Sequence, residues 1–474
     1  MRVFFYARGG IMLKTTQRKP IDFENDKIGR LLFKFAIPCI FSLLISALYN
    51  IVDQIFIGNS EVGYLGNAAT SVVFPLTMLA MAFAWCFGDG AAAFMSLYQG
   101  KKDDKSAHIA VGNSILWSFI IGCLFMLVCY LARRPILYLF GASDKSIDYA
   151  ETYFNIVMAV LPFFMVYNAV NSTIRADGSP AYAMFSTLTG AIINIILDPI
   201  FIYVCKLGIA GAAWATIIGQ MASCILTCCY FFKSKTFKLK LSSFKPDFKV
   251  FSKVLKLGIS TFITQISIVV TTLLYNVILK KYGALSKYGE DIPIAVIGIV
   301  MKVFTIVINI VVGIIIGAQP IIGYNYGAQN YARVRKTLTI CLIITAIVGL
   351  ISTVVFEACP DAVISLFGSE SELYREFARK TFRIFLMLVT FTCIIKLSSI
   401  FFQAIGSPVK SAICSLVRDT VCLVPLVIGL PVAMGIDGAL WAAPIADGIA
   451  MAVTAVFVIQ FYTELRKKEK NVLT

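Results

Sequence analysis

The sequence predicts an all-α integral membrane protein, with twelve transmembrane helices in two parallel-repeat six-helix lobes around a central cleft. Three observations predict this fold class: the composition, the recurrence of apolar stretches and an internal duplication. The chain is 59% hydrophobic and only 14% charged, whereas an ordinary soluble domain carries about 25% charged residues. A water-soluble globule cannot bury that much apolar surface, so the chain belongs in a bilayer.

Apolar stretches of about 20 residues, long enough to cross the hydrocarbon core, recur between short polar connections. The first half of the chain contains six of them, at 33–58, 67–91, 107–131, 150–174, 180–204 and 208–232. The second half contains another six, at 254–279, 292–317, 336–358, 378–403, 410–433 and 436–461. We therefore predict twelve crossings.

Short phrases occur twice in the same order, about 227 residues apart. The tripeptide LFG at 139–141 returns at 366–368, and GSP at 178–180 returns at 406–408. The run LGIAGAAWA from Leu207 returns as MGIDGALWA from Met434. Several motifs at nearly one offset indicate a duplicated and fused unit. Because six crossings return the chain to its starting side, the halves are predicted to be parallel repeats about an axis near the membrane normal, with the function at their interface.

The predicted organisation is a leader at 1–32, an N-terminal lobe at 33–232, a basic linker at 233–253, a C-terminal lobe at 254–461 and a tail at 462–474. Lys and Arg concentrate at both ends, in the linker and in the even-numbered connections. This bias predicts a multi-pass protein of the plasma (cytoplasmic) membrane with both termini in the cytoplasm. It also accounts for the net charge of +16, so no nucleic-acid partner is predicted. The apolar run near the start is too short for a signal peptide, and translation can begin at Met1 or Met12.

Several functional classes lack their signatures in this sequence. The thirteen cysteines lie mostly within apolar stretches and there is a single histidine, His108, so neither a disulfide framework nor a metal cluster is predicted. No Walker, HExxH or GxSxG motif is present. A nucleotide-driven pump is therefore excluded, an enzyme or receptor is a remote alternative, and no cofactor is predicted.

Ionisable side chains inside the predicted spans are few, and each one should face a cavity or a partner because its burial in lipid is costly. Asn194 and Asp198 are four residues apart, so they share one face of a helix. Pro199 follows directly and removes a backbone donor. With Asp53 and Thr216 they supply two carboxylates, an amide oxygen and a hydroxyl, a set that suits a proton or Na⁺. The alternative is that these residues satisfy buried neighbours, bridge helices or lie at headgroup level.

The second half does not repeat this set. At the repeat offset the position of Asp198 falls near Val424 and Pro425, which predicts that cation handling is confined to the first half. The charged residues within the later spans are Lys302, Lys396, Arg418, Asp419 and Asp447. We predict a structural ion pair in which Lys302 neutralises Asp419 or Asp447. Asp89 and Asp447, the latter near the start of a helix, are predicted to be solvated or to cap helices.

Five segments resemble the multidrug and toxic compound extrusion (MATE) transporters, in the bacterial multidrug efflux branch. They are IPCIFSLLISALYNIVDQIFIG at 37–58, RADGSP at 175–180, INIILDPIFIY at 193–203, QPIIGYNYGAQNYARV at 319–334 and QAIGSP at 403–408. The resemblance extends over nearly the whole chain, and GYNYGA together with the duplicated GSP is its most specific part.

This resemblance implies two six-helix lobes that work by alternating access. In relatives an acid on the first helix, an Asn and an Asp on the fifth and a Thr on the sixth form a proton- or sodium-responsive site. Those positions match Asp53, Asn194, Asp198 and Thr216, and the proline of the family's bending first helix matches Pro38. Other members also carry an acid on the seventh helix, where this chain offers only polar residues such as Gln265.

The predicted function is secondary active antiport, in which amphipathic, cationic organic compounds are exported in exchange for H⁺ or Na⁺. The predicted partners are these small substrates and membrane lipid, with no nucleotide, and the protein is predicted to act as a monomer. The alternative within transport is a flippase for lipid-linked sugars or cell-wall precursors. A flippase for a pyrophosphate headgroup should line its cavity with several Arg or Lys, whereas here the basic residues within spans all lie in one half.

Overall fold

The computed structural model describes residues 22–232, 234–236, 239–289, 291–365 and 372–473, and it is helical throughout these ranges apart from turns and short connections. Part of the predicted leader, both candidate start methionines and the second LFG copy at 366–368 lie outside the described residues. The all-α class predicted from the sequence is confirmed.

Within the described ranges, the first half of the chain contains eight α-helices. They are α1 (Ile28–Gly58), α2 (Tyr64–Gly100), α3 (Asp104–Leu131), α4 (Arg133–Leu139), α5 (Ile147–Ala159), α6 (Leu161–Ala176), α7 (Pro180–Pro199) and α8 (Gly208–Cys229). The second half contains nine: α9 (Phe248–Ala284), α10 (Asp291–Gly327), α11 (Tyr331–Ala358), α12 (Pro360–Ser365), α13 (Glu372–Phe385), α14 (Val389–Ala404), α15 (Pro408–Leu416), α16 (Leu423–Met434) and α17 (Ile436–Leu473).

Ten of the helical segments in the described ranges are long and apolar enough to cross a membrane. Two further spans are bent pairs, α5 with α6 at 55° and α13 with α14 at 48°. Counting each bent pair as one crossing gives the predicted twelve, six in each half.

Some helices extend beyond the predicted boundaries. Helix α9 begins at Phe248, inside the predicted linker, because the Asp247 side chain accepts hydrogen bonds of 3.0 Å from the backbone N–H groups of Lys249 and Val250. Helix α17 continues to Leu473, through the predicted tail. Hydropathy marks where a helix leaves the hydrocarbon core, whereas caps and helix propensity decide where the helix itself ends.

Each lobe has its own apolar core, and the first helix of each half crosses from one core to the other. Near its start α1 places Leu31 and Phe35 in the core of the C-terminal lobe, whereas Ile57 near its end lies in the N-terminal core. Helix α9 does the reverse, since Phe251 packs on the N-terminal core and Leu279 lies in the C-terminal core. The lobes are therefore joined by two exchanged helices.

The contacts between lobes repeat with the sequence duplication. A Cβ on Gly90 would lie 2.3 Å from the carbonyl oxygen of Val254, and one on Gly317 would lie 2.6 Å from the Cα of Ala36. Gly317 is the repeat position of Gly90, 227 residues later. The contact of α2 with α9 is thus repeated by the contact of α10 with α1. This correspondence is expected of parallel repeats.

One end of the molecule is closed by a second matched pair of glycines. A Cβ on Gly100 would lie 2.0 Å from the carbonyl oxygen of Tyr324, and one on Gly327 would lie 2.0 Å from that of Leu97. The linker and the start of α1 lie at this same end, where the Asn325 amide donates to the carbonyl oxygen of Phe23 at 3.1 Å. We call it the linker end.

The linker is held against the N-terminal lobe at two buried polar residues. Asp177, which is 0% exposed, accepts hydrogen bonds from the backbone N–H groups of Lys235 and Thr236 at 2.8 and 2.9 Å. The Asn113 amide donates to the carbonyl oxygen of Lys245 at 3.0 Å and accepts from the N–H of Asp247 at 2.9 Å. These hydrogen bonds therefore fix the linker to the N-terminal lobe.

Candidate functional site

The site lies where α1, α7 and α8 meet in the N-terminal lobe. Gly190 and Gly219 let α7 and α8 approach closely, since a Cβ on either would lie 2.6 Å from the other's carbonyl oxygen. Pro199 ends α7, and a π-helical turn at Ile200–Val204 follows it. In this turn the Tyr203 hydroxyl donates to the carbonyl oxygen of Phe56 in α1 at 2.8 Å. The irregular turn thus ties the end of α7 to α1.

The four residues predicted to form the site are brought together. Asn194 Nδ2 donates to Asp198 Oδ1 at 3.2 Å and lies 3.5 Å from Thr216 Oγ1. The carboxylate of Asp53, on α1, lies within hydrogen-bonding reach of that of Asp198. Asp53, Asn194 and Asp198 are 9%, 2% and 0% exposed, so the two acids are enclosed side by side.

Three oxygens of this cluster lack a hydrogen-bond donor among the described residues: Asp53 Oδ1, Asn194 Oδ1 and Asp198 Oδ2. Buried polar atoms are normally satisfied, and leaving several acceptors unpaired in one place is costly. All three are acceptors, so a proton or a hard cation would supply what they lack. The residues present therefore fit H⁺ or Na⁺.

A cavity of about 170 Å³ opens beside these residues. Asp53, Asn194 and Thr216 contribute to its wall, as do Asn50 and Gln54 of α1. Eight aromatic or thioether side chains also line it, together with small and polar residues; the eight are Tyr49, Phe74, Met78, Met81, Trp85, Tyr153, Phe164 and Tyr167. None of these eight was predicted from the sequence, although Tyr49 precedes Asp53 by one helical turn and so shares its face.

The C-terminal lobe holds a buried network of two cations and two anions. Lys396 Nζ lies 2.6 Å from Asp419 Oδ2, and Arg418 Nη1 lies 2.8 Å from Asp419 Oδ1. Arg418 Nε also bonds Asp447 Oδ1 at 2.8 Å. All four side chains are at most 10% exposed. The charges cancel within the network, so it leaves no net charge for a mobile cation to balance.

This network shows that the predicted pairing of Lys302 with Asp419 or Asp447 is wrong, because Lys396 and Arg418 are the partners of these acids. Arg418 and Lys396 reach the two acids because α14, α17 and the π-helical turn at Val417–Cys422 pack together, whereas the Lys302 side chain is exposed on α10. The prediction that Asp447 is solvated or caps a helix is also wrong, since it is 2% exposed inside α17.

The prediction that Asp89 is solvated or caps a helix is also wrong, because its carboxylate contacts Ser172 and Arg175 inside the protein. Its Oδ1 accepts a hydrogen bond of 2.7 Å from the Ser172 hydroxyl and lies 3.6 Å from Arg175 Nη2. Arg175 begins the RADGSP motif, so this motif both joins α6 to α2 through its arginine and holds the linker through Asp177. Pro38 lies within α1, which continues through it as one helix, close to the contact of Ala36 with α10.

Comparisons with known proteins agree with this architecture. The family model MatE matches residues 38–200 and 261–428. The multidrug export protein MepA of Staphylococcus haemolyticus (strain JCSC1435) is 26% identical over 444 residues, which cover 92% of this chain and 94% of that protein.

Solved structures show the same fold. An outward-facing multidrug resistance MATE family transporter of the MOP superfamily superposes with a TM-score of 0.86 at 22% identity, over 95% of this chain and 99% of that one. A MOP superfamily transporter from Pyrococcus furiosus Vc1 (DSM3638), described as having a binding pocket of reverse polarity, gives 0.85 at 21% identity, over 93% and 97%. With the family model matching both halves, the chain belongs to the MATE (MatE) family of multidrug efflux transporters, and it is a transporter and not an enzyme.

Proposed function

We propose that this transporter exports amphipathic, cationic organic compounds in exchange for H⁺ or Na⁺ by alternating access. The observation that supports the proposal is the set of three unpaired oxygens on Asp53, Asn194 and Asp198 beside a cavity with aromatic walls. Acids attract a cationic group, and aromatic faces bind flat cations without demanding one shape. The relatives are named as multidrug export proteins, in agreement with broad acceptance.

Exchange follows if the ion and the substrate compete for the same charges. A proton or Na⁺ at Asp53 and Asp198 neutralises the carboxylates, and this weakens the cavity's hold on a cationic compound. When one monovalent ion enters for each monovalent cationic compound that leaves, the exchange moves no net charge, so the concentration gradient of the ion drives it. A tenfold ion gradient, worth about 1.4 kcal/mol, then supports about a tenfold gradient of the compound. We propose that bending of α1 at Pro38, and the irregular turn after Pro199, accommodate the change between states.

We further propose an orientation in the membrane, a location for the coupling ion and a monomeric state. The basic linker and both chain ends lie in the cytoplasm, in accordance with the positive-inside rule. The neutral network of Lys396, Arg418, Asp419 and Asp447 leaves the coupling ion to the N-terminal lobe. The transporter acts as a monomer, with membrane lipid around it and no resident cofactor.

Ethidium efflux tests this function. Ethidium is added outside everted vesicles that contain the protein, and a pH step that makes the lumen acidic and a sodium step that makes the lumen high in Na⁺ are then applied separately. Because the lumen corresponds to the cell exterior, export is measured as ethidium uptake. Transport of ethidium in response to one of the two steps is expected, and that step identifies the coupling ion. The absence of a response to both would contradict antiport.

A further inference from the structure

Lys302 lies about three turns from the start of α10, the most apolar of the candidate spans. Its side chain is exposed, and it makes no hydrogen bond or ion pair with any residue that the structure describes. An ammonium group that faces lipid within such a span is costly. Its position is therefore stable only where water or a polar partner reaches it.

The helical register shows what Lys302 faces. A Cβ on Gly313 would lie 2.7 Å from the Cα of Ile40, so the Gly313 face of α10 packs on α1. Lys302 precedes Gly313 by eleven residues, which is close to three full turns and about 16 Å along the axis. Lys302 therefore lies on the α10 face that is directed at α1, at a level where its side chain is exposed.

The same register gives its depth. Ala36 packs on Gly317 and Ile40 on Gly313, so α1 and α10 run antiparallel. Three turns beyond Ile40 along α1 is Ile51, between Asn50 and Asp53. Asn50 is exposed and belongs to the cavity wall. Lys302 is thus placed on the wall of the cleft opposite the N-terminal cavity and at the same level.

The duplication supports this assignment and shows that the two walls differ. At the offset of 227 the counterpart of Lys302 in α2 is Pro75, and its neighbours Phe74 and Met78 line the N-terminal cavity. The corresponding wall of the C-terminal lobe therefore faces the cleft too. The cleft has carboxylates on one side and, on the other, a cation that no described residue neutralises.

We propose that Lys302 contacts substrate, and that it binds the acidic group of exported amphiphiles that carry a carboxylate as well as a cationic group. This rests on the proposed export function. An amphiphile with both charges would place its cationic end in the acidic, aromatic cavity and its carboxylate at Lys302. Purely cationic compounds would use the cavity alone and gain nothing from the lysine.

Rhodamine B, which has a free carboxylate, and its ethyl ester, which has none, are matched probes. Binding of each dye is measured by fluorescence polarisation in phosphatidylcholine nanodiscs, and transport of each in vesicles, for the original chain, Lys302→Gln, Lys302→Arg and the control Lys281→Gln. Lys281 is an exposed lysine in the last turn of α9. Lys302→Gln is expected to weaken rhodamine B binding about tenfold, as expected for the loss of one charged hydrogen bond, and to leave the ester unchanged. Lys302→Arg and Lys281→Gln should retain the binding of both dyes.

Equal effects of Lys302→Gln on the two dyes, or no effect on either, would overturn the assignment even if both dyes are exported. Binding of rhodamine B that depends on Lys302 without transport of either dye would support it and count against export. An acidic lipid headgroup has the same chemistry. Phosphatidylglycerol is added to the nanodiscs as a competitor. If it abolishes rhodamine B binding to the original chain but leaves the residual binding to Lys302→Gln unchanged, the lysine binds lipid, and this result would contradict the proposal.

Discussion

The side-chain amide of Asn194 donates a hydrogen bond of 3.2 Å to Oδ1 of Asp198, one helical turn further along α7. Because the same nitrogen also lies 3.5 Å from Thr216 Oγ1, Asn194 positions the carboxylate between α7 and α8. The other oxygen, Asp198 Oδ2, is buried and has no partner among the described residues. Asn194 thus fixes one side of the acid and leaves the other side for an ion.

Asp198→Asn should abolish ion-driven ethidium efflux while the protein still inserts into the membrane. An amide has nearly the shape of the carboxylate, but it carries no charge and takes up no proton at ordinary pH. Ion-driven uptake of ethidium into everted vesicles, which corresponds to efflux from the cell, measures the effect, and the amount of protein in the membrane confirms insertion. Asp148→Asn, which changes a carboxylate that is 84% exposed, should transport normally. Normal efflux by Asp198→Asn would rule out this acid as the coupling group.

The sequence was sufficient to predict the geometry within one helix. The spacing of Asn194 and Asp198 places them on one face of any α-helix, and the structure has them in contact. Asp53 and Thr216 are grouped with this pair because they are polar residues inside apolar spans, and the family resemblance supports the grouping. Nothing in the local pattern indicates which turns of three different helices meet.

Ion-pair partners in the C-terminal lobe could not be predicted in this way. Lys302, Lys396 and Arg418 are equivalent in the sequence, since each is a cation inside an apolar stretch. Which of them meets Asp419 depends on how α14 and the π-helical turn at Val417–Cys422 are rotated against α17. A π-helical turn shifts the helical register, and the hydrophobic pattern of the sequence does not show where such a turn occurs.

Lys396→Met should lower the thermal unfolding midpoint of the detergent-solubilised protein by several degrees. Lys396 and Asp419 are a buried pair at 2.6 Å, and removing one partner of such a pair costs about 3–5 kcal/mol, because the other charge is left uncompensated. Arg418 also contacts Asp419, so the loss should fall at the lower end of that range. Labelling of the buried thiols of Cys393 and Cys414 on heating reports unfolding.

The double variant Lys396→Met, Asp419→Asn is the control for Lys396→Met. Because it removes the charge that the single variant leaves unbalanced, it should recover part of the lost stability. A double variant that unfolds at a lower temperature than Lys396→Met would show that the side-chain volume of Lys396, and not its charge, is what the lobe requires.

Asp177→Ala should free the linker from the N-terminal lobe. The carboxylate accepts two backbone hydrogen bonds, from Lys235 and Thr236, and two hydroxyl hydrogen bonds, from Thr236 and Tyr230. Its removal therefore leaves these four donors without their acceptor. Trypsin should then cleave the linker of the detergent-solubilised protein several-fold faster, as followed by the two half-chain fragments. Asp104→Ala, at the exposed start of α3, should leave the rate unchanged. Equal cleavage rates for Asp177→Ala and the original chain would show that Asn113 suffices to hold the linker.

Gly327→Ala should destabilise the closed linker end. The added Cβ would lie 2.0 Å from the carbonyl oxygen of Leu97, so α2 and α10 must move apart by more than an ångström to reach ordinary contact. Overpacking of this kind costs about 1–3 kcal/mol, and the cost falls only on the conformer in which these helices touch. Hydrogen exchange of the α2 and α10 ends should therefore rise, and Gly100→Ala should act in the same way because it faces Tyr324 in the matched contact.

Gly298→Ala, on the same helix as Gly327 with nothing within 4 Å of the added atom, should leave exchange at these ends unchanged. If Gly327→Ala exchanged no faster than Gly298→Ala, the glycine contact would not be what holds the linker end closed, and closure would then have to depend on the polar contacts of Asn325 and the linker.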